Sequence, residues 1–343
     1  ISIFYLLLYC FITVSCLKET NELISDGFYH KSLVLTGYGL SSYDEKSVDK
    51  YLEKSKNLNA NTVSFLYTCY VEDRYSSNID CSSYDTPSLK EISYAIIAAK
   101  KLNFRVTLRF YIDLKTKDWR CHLNPKSKKS FFKDLDQKYK DFAIFLEKEK
   151  VDTFIIGAEL CQLTKKEFKH QWIDLITSIR KNYYGKITYG SNWGEVNGER
   201  EFEQISFWHA LDFIGIDHYK PISDEKLTNG DLIFEDQKQF FKKYETIAYK
   251  YRKRIIFTEI GFPGASDGHR EPFSWTMKGV SNQKRQALLY KETLKAISTM
   301  SMVEGIYIWR MDIQKSLSEK PFVNERGYEL WGREAWDEIK NFF

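Results

Sequence analysis

The sequence predicts an α/β fold, a single-domain (β/α)8 TIM barrel, on three observations. Short apolar, β-branched runs recur along the chain, as strands buried on both faces require. Amphipathic stretches at helical spacing separate them. Two of the runs end in a glutamate, at Glu159 and Glu259. Alternating strand and helix over most of the chain favours a closed parallel barrel over separate domains. The 343 residues suffice for one such unit, and no linker, long repeat or low-complexity segment divides them.

The strand series opens with Ser32-Leu33-Val34-Leu35-Thr36, continues with Thr62-Val63-Ser64-Phe65-Leu66, and reaches Arg105-Val106-Thr107-Leu108-Arg109-Phe110 and Thr153-Phe154-Ile155-Ile156. It then runs through Lys186-Ile187-Thr188-Tyr189, Leu211-Asp212-Phe213-Ile214-Gly215-Ile216, Arg254-Ile255-Ile256-Phe257 and Gly305-Ile306-Tyr307-Ile308-Trp309, eight candidates in all. Helical patterns lie between them over 48–58, 88–102, 131–149, 166–183, 234–251 and 283–300. In the second helix, Leu89, Ile92, Ile96, Ala99 and Leu102 share the face that would cover a sheet, and Pro87 suits its first helical position after Thr86 as the capping residue. Only 201–210 is available for the helix between the fifth and sixth strands, which makes that crossover short.

Residues 1–14 are apolar and lead to the small residues Ser15 and Cys16, so 1–16 reads as a signal-peptide-like segment and 17–343 as the barrel domain. This implies a secreted or otherwise extracytoplasmic protein. Thr13-Val14-Ser15-Cys16 also resembles a bacterial lipobox with Thr in place of Leu, which allows membrane attachment through a lipidated Cys16. In an oxidising compartment Cys69 and Cys81 can bridge across one loop. No CxxC or paired His/Cys spacing calls for a metal, and nothing calls for a cofactor. Lys plus Arg number 51 against 47 Asp plus Glu with the signs interspersed, which argues against a nucleic-acid partner.

In such a barrel the C-terminal strand ends form the catalytic face, so carboxylates distant in sequence converge there. One strand-end glutamate alone reads equally as a helix cap or a lysine partner; two in matching contexts point to hydrolysis of a glycosidic bond. Aromatic residues make up 16% of the chain, with 23 Tyr and 8 Trp, enough to line a cleft that stacks on sugar rings. His218, between Asp217 and Tyr219, reads as a structural hydrogen-bonding residue. Gly261-Phe262-Pro263-Gly264 is a weak candidate for the phosphate-binding loop of a phosphosugar barrel, and the signal-like start argues against that class.

Four ordered strings, Phe154-Ile155-Ile156-Gly157-Ala158-Glu159-Leu160, Ile187-Thr188-Tyr189-Gly190-Ser191-Asn192-Trp193, Leu211 through Asp217-His218-Tyr219, and Phe257-Thr258-Glu259-Ile260-Gly261-Phe262, resemble glycoside hydrolase family 113. Asp85-Thr86-Pro87, Tyr111-Ile112-Asp113, Asp118-Trp119-Arg120 and Ile308-Trp309 support the match. The resemblance implies a retaining β-mannanase-like enzyme that needs no metal, with Glu159 as general acid/base and Glu259 as nucleophile. It further implies that Tyr219, Trp309, Asn192, Trp193, Asp113, Trp119 and Arg120 contact an oligo- or polysaccharide of the β-1,4-mannan type. Ala158 stands where many enzymes of the wider clan carry an Asn that binds the sugar 2-hydroxyl, leaving Asn192 as the candidate for that contact. The competing expectation is a non-catalytic carbohydrate-binding barrel at the cell surface.

Overall fold

The computed structural model describes residues 28–37, 42–83, 85–313 and 326–343. The signal-like segment and Cys16 lie outside the described residues. Eight parallel strands close into a barrel in chain order: β1 (His30–Thr36), β2 (Thr62–Val71), β3 (Arg105–Leu114), β4 (Thr153–Ala158), β5 (Lys186–Asn192), β6 (Ile214–His218), β7 (Ile255–Ile260) and β8 (Val303–Asp312), with β8 pairing back onto β1. Around it run α1 (Glu45–Asn57), α2 (Leu89–Lys101), α3 (Lys128–Lys148), α4 (Lys169–Arg180), α5 (Glu201–Gln204), α6 (Gly230–Tyr251), α7 (Gln283–Ile297) and α8 (Glu334–Phe342). The fold is the expected (β/α)8 barrel. Among the described residues no helix is long and apolar enough to cross a membrane.

Where the elements differ from the sequence reading, local chemistry explains it. The α2 cap is Ser88, not Thr86: its side chain and that of Glu91 bond reciprocally to each other's backbone N–H, so the helix starts at Leu89. Thr86 instead donates its hydroxyl to the Thr68 carbonyl at 2.7 Å. β6 begins at Ile214 because Trp208–Ala210 forms a 3-10 turn and Asp212 is drawn back to the Ile187 N–H at 2.7 Å and to the Arg180 guanidinium. The short crossover shrinks to the four-residue α5, and α8, which the sequence reading lacked, packs on α7.

The main core lies between the outer barrel face and the helices, where Phe110, Tyr139, Phe142 and Phe154 pack edge to face. A smaller cluster, including Val34, Ile155, Ile256 and Tyr307, fills the barrel interior and rises to Tyr111, Tyr219 and Trp309 at its mouth. Cys69 and Cys81 form the bridge that their spacing permits, and a second joins Cys121 to Cys161. His218 is buried, with Nδ1 2.8 Å from the Tyr244 hydroxyl and Nε2 2.8 Å from Gln237 Oε1, a structural position.

Candidate active site

Side chains alternate across a strand, so one face of β3 climbs the barrel interior through Thr107, Arg109 and Tyr111 to Asp113 at the rim. Arg109 is wholly buried. Its Nη2 lies 2.7 Å from Glu259 Oε1 and 3.2 Å from Asp217 Oδ1, and its Nη1 donates to the Thr258 carbonyl. The Tyr111 hydroxyl donates to the same Oε1 of Glu259, and the Tyr219 hydroxyl donates to Oε2 at 2.5 Å. Glu259 thus accepts three hydrogen bonds from side chains of β3 and the end of β6.

A register shift aims Glu259. Ile216 pairs with Phe257 but Asp217 pairs with Glu259, and a matching shift separates Ile306 from Ile308 on the other side. The extra residue, Thr258, lets two consecutive side chains reach the interior, as bulges beside active sites do. Thr258 uses this to donate to Asp217 Oδ1 at 2.6 Å.

β4 ends through a comparable irregularity. Its pairing with β5 shifts between Ile155 and Ala158, Gly157 adopts φ 157°, and Glu159 takes the left-handed φ of 50°. A Cβ on Gly157 would stand 3.1 Å from the Tyr189 ring. A non-glycine residue in the left-handed region costs about 1 to 3 kcal/mol and persists where its surroundings over-determine it. The Glu159 N–H donates to the Gly190 carbonyl at 2.9 Å, and the following Leu160 N–H donates to the Tyr189 hydroxyl at 2.6 Å.

The Glu159 carboxyl meets the loop after β3. Trp119 Nε1 donates to its Oε2 at 2.9 Å, and Arg120 Nη1 lies 3.8 Å from the same oxygen. Arg120 is fixed by Asp113 Oδ1, at 2.9 Å from Nε and 2.7 Å from Nη2, and its guanidinium sits 4.1 Å over the Tyr111 ring. Arg120 and Tyr111 therefore link the two glutamates across the mouth. The Cys121–Cys161 disulfide ties this loop to the exit of β4, two residues beyond Glu159. Glu159 keeps a little of its side chain exposed, 14%, while Glu259 is buried, at 7%.

The electrostatics are asymmetric. Burial pushes the Glu159 carboxyl up to about 7; Arg120 and the Trp119 N–H oppose the shift, and the negative charge of Glu259 adds to it. Burial, then the charge of Glu259, also holds Asp217 well above the usual carboxylate range. The site therefore holds one carboxyl that keeps its proton close to neutral pH beside another clasped by a guanidinium and two phenols. Among the described residues no group of three or more His, Cys, Asp or Glu side chains is arranged to hold a metal ion.

Of the other residues singled out in the sequence, Trp309 lies at the upper end of β8 with its ring 5.9 Å from the Arg109 guanidinium and edge-on to Trp275 at 6.4 Å. Trp193 stacks on Phe273 at 6.2 Å beside the inner cluster. Asn192 is buried; its backbone N–H donates to Glu201, its side-chain amide to the Gly194 carbonyl at 3.3 Å, and neither bond reaches Glu159 or Glu259. The sequence reading missed Arg109, Asp217 and Glu201. A cation inside the apolar β3 run was the available signal for Arg109; Glu201 sits in a polar stretch that reads as surface.

An eight-stranded parallel barrel with two glutamates at its C-terminal face belongs to the class of barrel glycoside hydrolases. The model described as Glycoside Hydrolase Family 113 matches residues 38–333, and the chain belongs to this family. Among solved structures, the fold matches a GH113 β-1,4-mannanase complex at TM-score 0.81 and 21% identity, over 92% of this chain and 99% of that one. It matches the GH113 β-mannanase AaManA from Alicyclobacillus acidocaldarius, in complex with ManMIm, at TM-score 0.81 and 18% identity, over 92% and 97%. A GH5_18 variant protein from Streptomyces cattleya, in complex with Manb1-4GlcNAc, aligns at TM-score 0.57 and 10% identity, over 89% and 79%. No curated relative matches the chain.

Proposed function

We propose that the protein is a retaining hydrolase of β-1,4-mannan or manno-oligosaccharides, with Glu159 as general acid/base and Glu259 as nucleophile. The observation that carries this reading is the division between the two carboxyls: burial raises Glu159 to about 7, while Glu259 is held by Arg109, Tyr111 and Tyr219. Environments that differ in this way assign acid and nucleophile. In the first step Glu259 attacks the anomeric carbon as Glu159 protonates the departing oxygen. In the second, Glu159 takes a proton from water, which displaces the sugar from Glu259. Double displacement requires carboxyls about 5 to 5.5 Å apart.

The two GH113 mannanases with the same architecture support mannan as the substrate class. Trp309 offers an apolar face for the sugar bound at the reacting centre, while Trp119, Arg120 and Asp113 line the acid's side of the mouth, Tyr219 the nucleophile's and Trp193 the rim. Asn192 reaches a sugar hydroxyl only if its amide leaves Gly194. Two disulfides suit an oxidising compartment and support action outside the cytoplasm. The test is product analysis of defined β-1,4-manno-oligosaccharides incubated with purified protein. The proposal expects shorter manno-oligosaccharides from the wild type and almost none from Glu159→Ala or Glu259→Ala. Binding without cleavage by the wild type would favour a carbohydrate-binding barrel instead.

A further inference from the structure

We infer that Glu201 is a positioning residue for Glu159, holding the acid at the mouth of the barrel through Tyr189 and the Leu160 amide. The inference rests on Glu159 acting as the general acid/base. Glu201 opens the four-residue α5, and its side chain turns toward the exit of β4 and the end of β5. Its Oε1 accepts the Tyr189 hydroxyl at 2.7 Å and the Thr164 hydroxyl at 2.8 Å; its Oε2 accepts the Asn192 N–H at 2.7 Å. The Tyr189 hydroxyl in turn accepts the Leu160 N–H at 2.6 Å. One carboxylate therefore fastens the chain at Leu160 and at Thr164 to β5, immediately beyond the residue whose φ of 50° must be held against its own preference.

A purely structural role would not call for this residue. Glu201 is 5% exposed, and among the described residues no Lys or Arg forms an ion pair with it. Burying a carboxylate without a cation is costly, and only its donors offset the lost hydration. All three donors demand acceptor oxygens: the ionised form supplies two, an amide only one, and an apolar side chain none. Burial raises its pKa to about 7, against the pull of the Asn192, Tyr189 and Thr164 donors, with the charge of Asp217 adding to the rise. Its own charge adds to the elevation of Glu159, alongside Glu259 and against Arg120 and Trp119. Glu201 thus acts on the acid twice: through the backbone it anchors, and through the field it contributes.

The test uses Glu201→Gln, which keeps one acceptor oxygen and loses the other, and Tyr189→Phe, which keeps the ring in the core and removes only the hydroxyl relay. Each is assayed on manno-oligosaccharides, whose leaving group needs a proton, and on a dinitrophenyl β-mannoside, whose leaving group does not. Misplacing the acid lowers kcat/KM on the oligosaccharide by roughly tenfold or more and on the aryl glycoside by less than about threefold. An equal fall on both substrates, or no fall on either, overturns the inference. A second readout needs no turnover: the indole N–H resonance of Trp119, which points at Glu159, followed against pH. Its midpoint is expected to move in both variants, downward in Glu201→Gln because an anion that raised Glu159 is gone; an unmoved midpoint overturns the inference. A wild type inert on both glycosides contradicts the proposed activity alone, and the Trp119 midpoint still decides the role of Glu201.

Discussion

The Tyr219 hydroxyl donates to Glu259 at 2.5 Å, on the oxygen opposite the one that Arg109 and Tyr111 occupy. This fixes the plane of the carboxylate from both sides and sets which lone pair faces the pocket. Hydrogen bonds to charged groups contribute about 1.5 to 3 kcal/mol, and each 1.4 kcal/mol is tenfold in rate. Tyr219→Phe should therefore lower kcat by roughly 10- to 100-fold with KM little changed. Steady-state kinetics on manno-oligosaccharides measures this, and an unchanged kcat counts against the assignment.

Glu159 donates its proton only while it holds one. With its pKa raised to about 7, kcat/KM should fall as pH climbs through about 7. Arg120 favours the ionised form, so Arg120→Gln should raise the carboxyl further and move that limb to higher pH. A pH profile of both proteins checks the sign; a limb that moves to lower pH contradicts it.

The same shift predicts a stability trend. The folded protein binds this proton more tightly than the unfolded chain, so the stabilisation is full below about 4.5 and is lost as pH rises to about 7. Glu201, also raised to about 7, carries the same sign. Melting temperatures over this interval should decline less steeply in Glu159→Gln than in the wild type.

The Cys121–Cys161 bridge closes a 40-residue separation and holds the Trp119–Arg120 loop against the exit of β4. Chain entropy gives a loop of this length roughly 4 kcal/mol of stabilisation. The Cys121→Ser, Cys161→Ser double variant should melt several degrees lower and lose activity more than a variant lacking the Cys69–Cys81 bridge. Calorimetry and turnover on the two variants decide this.

The barrel was legible because strands buried on both faces leave dense apolar runs, and Glu159 and Glu259 stood out as the charges that end two of them. The aim of those glutamates was not legible: periodicity carries no sign of the extra residue at Thr258 or of the left-handed turn at Glu159. Arg109 was visible as a cation in an apolar run, but its partners Asp217 and Glu259 lie 108 and 150 positions away. Trp119, Arg120 and Asp113 do gather at Glu159 through one loop, whereas Asn192 turns its amide to the Gly194 carbonyl and its backbone N–H to Glu201. The inward turn of Glu201 depends on where a four-residue helix places it, which no spacing rule encodes.

If Glu259 is the nucleophile, it carries the sugar covalently between the two steps. Incubation with a 2-deoxy-2-fluoro-β-mannosyl fluoride slows turnover of that glycosyl-enzyme, and peptide mass spectrometry then locates the label. One fluoromannosyl adduct is expected on the peptide containing Glu259, absent from Glu259→Ala. Hydrolysis of mannan with inverted anomeric configuration and no adduct would contradict the double displacement.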